Sequence, residues 1–262
     1  MKAFLIDVKK CNGCRSCQLG CKDEHVGNDW SPIAKPQPQL GQFWMNVVET
    51  ERGARPHVKV TYLPVLCQHC EDCPLVDAGA AYRREDGLVI LDPEKAADKG
   101  LVDACPYGVV YYNEELGIAQ KCSGCAHLID GDQPITIPRC VDNCHVDAIQ
   151  FGEESELDLE GAETFKPELG LKTRVWYKGL PKKFIAGTVY DPEAMEIVEG
   201  AKVVATGEAG TFEAETNSWG DFWLKELPDA EWTLTIEKGG KKVEMAVSTV
   251  EKDQGLADIA LA

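Results

Sequence analysis

The chain has 262 residues, long for one domain and comfortable for two. With 44 Asp and Glu against 27 Lys and Arg, its net charge of -17 excludes the basic face that nucleic acid or an anionic membrane surface requires. It holds no run of about 18 apolar residues and opens with too short an apolar stretch for a secretory signal, so a cytoplasmic protein meeting one matched partner is expected.

In chain order, FLIDV is a short apolar strand that leads into CNGCRSCQLGC. There Cys11, Cys14 and Cys17 are separated by two residues each, and Cys21 follows after three. This C-x2-C-x2-C-x3-C run is the bacterial ferredoxin signature, in which three thiolates wrap one [4Fe–4S] cubane and the fourth ligates the other cluster of a pair. The usual proline after the fourth cysteine is Lys22 here. CQHCEDC then supplies Cys67, Cys70 and Cys73, and the position where a fourth cysteine would follow is Asp77. Cys105 stands alone before a proline, CSGC gives Cys122 and Cys125, and PRCVDNC gives Cys140 and Cys144. AIQF, after the last of these, is expected to pair with FLIDV as an outer strand.

All twelve cysteines lie between Cys11 and Cys144. In a reducing compartment such density points to metal and not to disulfides. The three-residue gap from Cys140 to Cys144 repeats the gap from Cys17 to Cys21, so ligand exchange predicts one cluster on Cys11, Cys14, Cys17 and Cys144. A second then sits on Cys21, Cys122, Cys125 and Cys140. Cys67, Cys70 and Cys73 need a fourth thiolate, and Cys105 is the only one unassigned, which closes three [4Fe–4S] clusters with none left over. A zinc ribbon uses two separated pairs and leaves the third and fourth cysteines of the first group unexplained. Asp77 reads better as a solvated carboxylate than as an iron ligand. His69 and His127 are candidates to donate hydrogen bonds to their clusters, with ordinary polar packing as the alternative. Lys10, Arg15, Lys22, Lys121 and Arg139 stand beside ligands and receive no role.

Residues 1–152 thus form a cysteine-bearing domain, and 153–182 an acidic, poorly periodic connecting arm. In 183–262 the stretches FIAGTVY, AKVVAT, TFEAET, DFWLKEL, EWTLTIEK, KKVEMAVST and LADIALA give seven strands separated by turn chemistry, an antiparallel β-sandwich. Trp219, Trp223 and Trp232 fit core positions better than an exposed platform. The whole reads as an α+β protein.

The text CQHCED, REDGLVILD, ACPYGVVYYNEE, QKCSGC and PRCVDNC resembles the iron–sulfur electron-transfer subunits of molybdenum and tungsten enzymes of the dimethyl sulfoxide reductase family. That resemblance implies nested ferredoxin-like halves with four clusters. Here LDPEKAADKGLVDA and LVDAG lack the four thiolates of one cluster, which leaves three. Within the family, EHVGNDW, WMNVVETERG, KPELG and RVWYKGL are similar to small subunits of transhydroxylases of polyhydroxybenzenes, with a C-terminal domain of transthyretin or carboxypeptidase-regulatory type. The resemblance implies a heterodimer of an anaerobic organism, whose large partner carries a molybdenum or tungsten bis-molybdopterin guanine dinucleotide centre and acts on phenolic rings. No nucleophile–base constellation or phosphate loop occurs in this chain, so catalysis is expected on the partner. The competing readings are a subunit of a related hydroxylase, dehydroxylase or reductase, and a free polyferredoxin shuttle.

Overall fold

The computed structural model describes residues 1–131 and 134–262. They divide into two units: Met1–Glu49 with Tyr62–Leu180, and Thr50–Thr61 with Pro181–Ala262. Among the described residues no helix is long and apolar enough to cross a membrane.

In the first unit, strand β1 (Lys2–Asp7) is buried on both faces from Ala3 to Ile6, as an interior strand requires. Helix α1 (Ser16–His25) follows the first cysteine loop, and β2 (Asn46–Ala54) pairs with β3 (His57–Val65). Four single-turn helices come next in the chain: α2 (Pro74–Asp77), α3 (Leu101–Ala104), α4 (Ala126–Ile129) and α5 (Arg139–Asp142). Between them lie two short hairpins, β4 (Ala81–Arg83) with β5 (Val89–Leu91) and β6 (Val110–Asn113) with β7 (Ile118–Lys121).

Strands β8 (Ile149–Glu153), β9 (Glu163–Thr164) and β10 (Val175–Lys178) complete a sheet of order β8-β1-β10-β9. The apolar stretches flanking the cysteines do pair, with Phe4 opposite Phe151 and their ring centroids 4.6 Å apart. β1 is nevertheless interior, because β10 runs parallel along its other edge. The stretch 153–182, read as a connecting arm, therefore supplies two strands of this sheet. Val175 and Tyr177 of β10 are fully buried, an alternation over only four residues that is too short to stand out in the sequence.

The second unit holds two four-stranded sheets. Its elements are β11 (Lys183–Asp191), β12 (Glu196–Ile197), β13 (Lys202–Gly207), β14 (Gly210–Glu215), β15 (Asp221–Leu227), β16 (Glu231–Lys238), β17 (Lys241–Ser248) and β18 (Gln254–Ala260). One sheet gathers β12, β11, β15 and β18; the other has the order β14-β13-β16-β17. Ile185, Val189, Phe222 and Ile259 of the first meet Val203, Trp232, Leu234 and Ile236 of the second in one core.

Two expectations are corrected here. There are eight strands, since the two-residue β12 has no periodicity to read. The unit is also not wholly antiparallel, because β18 runs parallel to β11. A hairpin forces antiparallel pairing, but the chain changes sheets between β17 and β18 and is free to arrive in either direction. Of the three tryptophans, Trp232 is buried and donates to Thr249 Oγ1 at 2.8 Å, Trp223 is half-buried, and Trp219 is exposed.

The second unit also contains the tip of the β2–β3 hairpin, which lies within the stretch 1–152 read as one domain. Arg52 grips Asp253 with two hydrogen bonds, Nε to Oδ2 at 2.8 Å and Nη2 to Oδ1 at 2.6 Å, and both side chains are close to buried. The Phe184 amide donates to the same carboxylate. His57 is buried, with Nδ1 3.2 Å from the Leu256 carbonyl and Nε2 3.2 Å from Thr188 Oγ1. Removing one member of such a buried pair strands the other charge, at a cost of about 3–5 kcal/mol. Arg52→Ala should therefore lower stability by about 3 kcal/mol in urea unfolding followed by tryptophan fluorescence. A loss below about 1 kcal/mol would place the pair among solvent-screened surface bridges.

Candidate metal centres

The loop before α1 is bent by left-handed backbone at Gly13 and Arg15, with φ of 74° and 63°. At Gly13 a side chain is excluded on a second ground: a Cβ there would stand 2.4 Å from the Tyr62 ring. The bend leaves Cys11 and Cys14 on the loop and starts the helix one residue before Cys17. Cys17 and Cys21, four residues apart, fall on one buried face of α1. Cys140, on α5, and Cys144, just beyond it, repeat the spacing.

These two helices are drawn together. A Cβ on Gly20 would stand 2.3 Å from Asn143 Nδ2, so α1 and α5 approach closer than two ordinary side chains allow. Buried Glu24 of α1 accepts from Arg139 Nε at 2.5 Å and lies 3.1 Å from His127 Nε2.

Cys11, Cys14, Cys17 and Cys144 line one pocket, together with Val47, Pro64 and Ile149. Burial, then the sulfurs of Cys11 and Cys144, pushes the Cys17 thiol up to about 12. Cys14, the exposed member, is instead held below the usual thiol range by hydrogen bonds from Ser16. Cys21, Cys122, Cys125 and Cys140 form a second, buried set. Burial and the facing sulfurs push Cys21 and Cys140 far up, with Cys122 at about 11 and Cys125 at about 12. In the third set, burial followed by Cys67, Cys73 and Cys105 pushes Cys70 up to about 12. Cys105, at the end of α3, is likewise raised by burial and by Cys67.

Left to themselves the thiols raised by burial, such as Cys17, Cys21 and Cys140, stay protonated. Groups of four become thiolates only around cations, and an all-sulfur donor set suits iron or zinc. Among the described residues no three His, Cys, Asp or Glu side chains converge closely enough to hold a single ion. A set of four thiolates is the donor complement of a [4Fe–4S] cubane. Backbone amides already point at the sulfurs, with Gly124 N–H 3.3 Å from Cys122 Sγ and Ala148 N–H 3.2 Å from Cys144 Sγ.

The flanking residues divide differently from their positions in the sequence. His69 lies between Cys67 and Cys70, yet its Nε2 faces Cys122 of the second set at 4.0 Å. His127, next but one to Cys125, turns to Glu24, while His25, which the sequence reading missed, places Nε2 3.7 Å from Cys125 Sγ. His25 is the last residue of α1, one turn beyond Cys21, and that helical spacing was the available signal. Lys22 donates to the carbonyls of Pro38 and Gln42, Arg15 pairs with Glu49, Lys10 is exposed, and Asp77 is exposed at the end of α2. Lys121 is buried.

Residues 58–154 match the 4Fe-4S dicluster domain family, and residues 185–262 match the carboxypeptidase regulatory-like domain family. The chain is 42% identical to the pyrogallol hydroxytransferase small subunit of Pelobacter acidigallici, covering 98% of each protein. It is 34% identical to one chain of the anaerobic dimethyl sulfoxide reductase of Escherichia coli K12, over 59% of this protein and 74% of that one. To one subunit of the tetrathionate reductase of Salmonella typhimurium LT2 it is 30% identical, over 70% of this chain and 74% of the relative. Full-length similarity to the first, and a shared cysteine-bearing region with the others, make the chain a member of the family of iron–sulfur electron-transfer subunits of dimethyl sulfoxide reductase-type molybdenum oxidoreductases.

Proposed function

We propose that the three thiol sets hold three [4Fe–4S] clusters, on Cys11, Cys14, Cys17 and Cys144, on Cys21, Cys122, Cys125 and Cys140, and on Cys67, Cys70, Cys73 and Cys105. The observation that carries this reading is the gathering of Cys11, Cys14, Cys17 and Cys144 at one pocket, with Cys21, Cys122, Cys125 and Cys140 and, separately, Cys67, Cys70, Cys73 and Cys105 acting on one another's thiols. When bound, such clusters supply one-electron transfer at a potential set by burial, hydrogen bonds to sulfur and nearby charge. The chain's own residues do the rest. α1 carries ligands of two sets one turn apart, α5 and the residues just after it carry two more, the amides of Gly124 and Ala148 donate to ligand sulfurs, and burial keeps water from the second set.

The large partner of this subunit carries a molybdenum or tungsten bis-molybdopterin guanine dinucleotide centre, where hydroxyl groups are transferred between polyhydroxybenzenes, and the heterodimer works in the cytoplasm. Identity of 42% along 98% of the chain to a pyrogallol hydroxytransferase small subunit supports this choice, because it extends through the C-terminal β unit. The dimethyl sulfoxide reductase relative covers only 59% of the chain.

Anaerobically purified full chain should contain about twelve irons and about twelve acid-labile sulfides, and about eight of each would remove the three-cluster reading. Cys105→Ala should cost about four irons, or convert one cluster to a three-iron form with its own EPR signal. An unchanged spectrum would make Cys105 a packing residue. Affinity capture of the chain from its native cells should bring down a large pterin-containing chain in equal amount. Recovery of the chain alone would favour a free electron shuttle.

A further inference from the structure

The chain has five histidines, and their rings sort by what they face. His57 belongs to the second unit, and His127 turns to Glu24. The other three face cysteine sulfurs. His69 Nε2 is 4.0 Å from Cys122 Sγ, His25 Nε2 is 3.7 Å from Cys125 Sγ, and His145 Nδ1 is 3.8 Å from Cys14 Sγ. Cys14 and His145 are both exposed, so water competes for that contact. The other two pairs are buried, and both fall on the second set. None of the five is left for Cys67, Cys70, Cys73 or Cys105.

Hydrogen-bond geometry fixes the proton on each buried ring. His69 is fully buried on the loop between Cys67 and Cys70, with φ of 47° and its ring stacked on Phe4. The Val89 amide donates to its Nδ1 at 3.0 Å, which makes Nδ1 the acceptor and places the ring proton on Nε2. That N–H faces Cys122. His25, the last residue of α1, packs its ring against those of Trp44 and His127, with centroids 4.6 Å and 5.2 Å away. Its Nδ1 has no partner among the described residues, so Cys125 is the one group its ring can bond. A thiolate that ligates iron carries no proton and only accepts, which puts the His25 proton on Nε2 as well. The two donors come from separate parts of the chain and meet two different sulfurs of one set.

Resting on the three-cluster reading above, we propose that His25 and His69 are the positioning residues of the second cluster, each directing a buried N–H at one of its ligand sulfurs and together raising its potential. Donors to sulfur stabilise the reduced, more negative cluster, which is the physical basis of that rise. Because His69 is carried by the loop of the third set, wrapping that loop puts in place a donor to the second. EPR-monitored redox titration of the anaerobically purified full chain tests this through the three midpoints. His25→Leu and His69→Leu should each lower the same single midpoint by about threefold to tenfold in the reduced-to-oxidised ratio, tenfold being about 59 mV for a one-electron couple. The double variant should lower it by the product of the two, since the donors serve different sulfurs. His25→Gln and His69→Gln, whose amide N–H takes the place of Nε2–H, should bring it back to within about twofold. Full iron content with all midpoints unmoved, with the two Leu variants moving different midpoints, or with Gln and Leu variants alike overturns the proposal.

If the Leu variants lose iron, pulsed EPR of the unsubstituted chain decides. Reduced protein grown on histidine labelled with heavy nitrogen should show coupling between a cluster and a histidine nitrogen, and His145→Ala should leave it in place. No such coupling, or one that vanishes with His145→Ala, overturns the proposal. Low iron in the unsubstituted chain strikes the three-cluster reading itself, whereas unmoved midpoints at full iron strike only the role of the two histidines.

Discussion

A thiolate caged with three others repels all of them, and a protein interior does little to screen that repulsion. Cys17, Cys70 and Cys125 are each pushed up to about 12, by burial first and by neighbouring sulfurs second. Only cations with an affinity for sulfur let such a cage ionise, so metal binding and folding of the cysteine loops stabilise each other. The secondary structure of the first unit fits that dependence. α2 to α5 are four-residue turns, far below the length at which a helix holds itself together, and each begins beside or contains a cysteine or leads into one.

The pitch of a helix then sets the spacing of the proposed clusters. Four residues of α-helix advance about 6 Å, and Cys17 and Cys21 are separated by that step while serving different sets. Cys140, on α5, and Cys144, two residues beyond its end, are also four residues apart with their roles exchanged. The two proposed clusters are thus tied twice, and the close contact at Gly20 and the Glu24–Arg139 pair hold α1 against α5.

The pairing of the flanking apolar stretches and seven of the eight C-terminal strands were legible in the sequence. Each rests on local spacing or on alternation over six or more residues. What was not legible depends on direction across the fold. The aim of His69 at Cys122 follows from the left-handed backbone of its loop and from the Val89 amide, neither of which has a sequence mark. Burial of Lys121 is equally silent, because a lysine beside a ligand reads the same whether solvated or enclosed. The parallel arrival of β18 required knowing that the chain changes sheets after β17.

The hairpin tip has a further consequence, for the order in which the protein is made. Arg52 and Asp253 are 201 residues apart in the chain, and residues 50–61 are translated between the first and second cysteine groups. A ribosome therefore releases every cysteine of the first unit long before the second unit can be completed. Until the C-terminal residues emerge, Arg52 lacks Asp253 and His57 lacks the Leu256 carbonyl, and closing so long a loop is slow compared with forming local turns. Cluster insertion has a head start over the C-terminal fold, and cutting the chain after the cysteine region would leave that tip permanently without the residues that bury it.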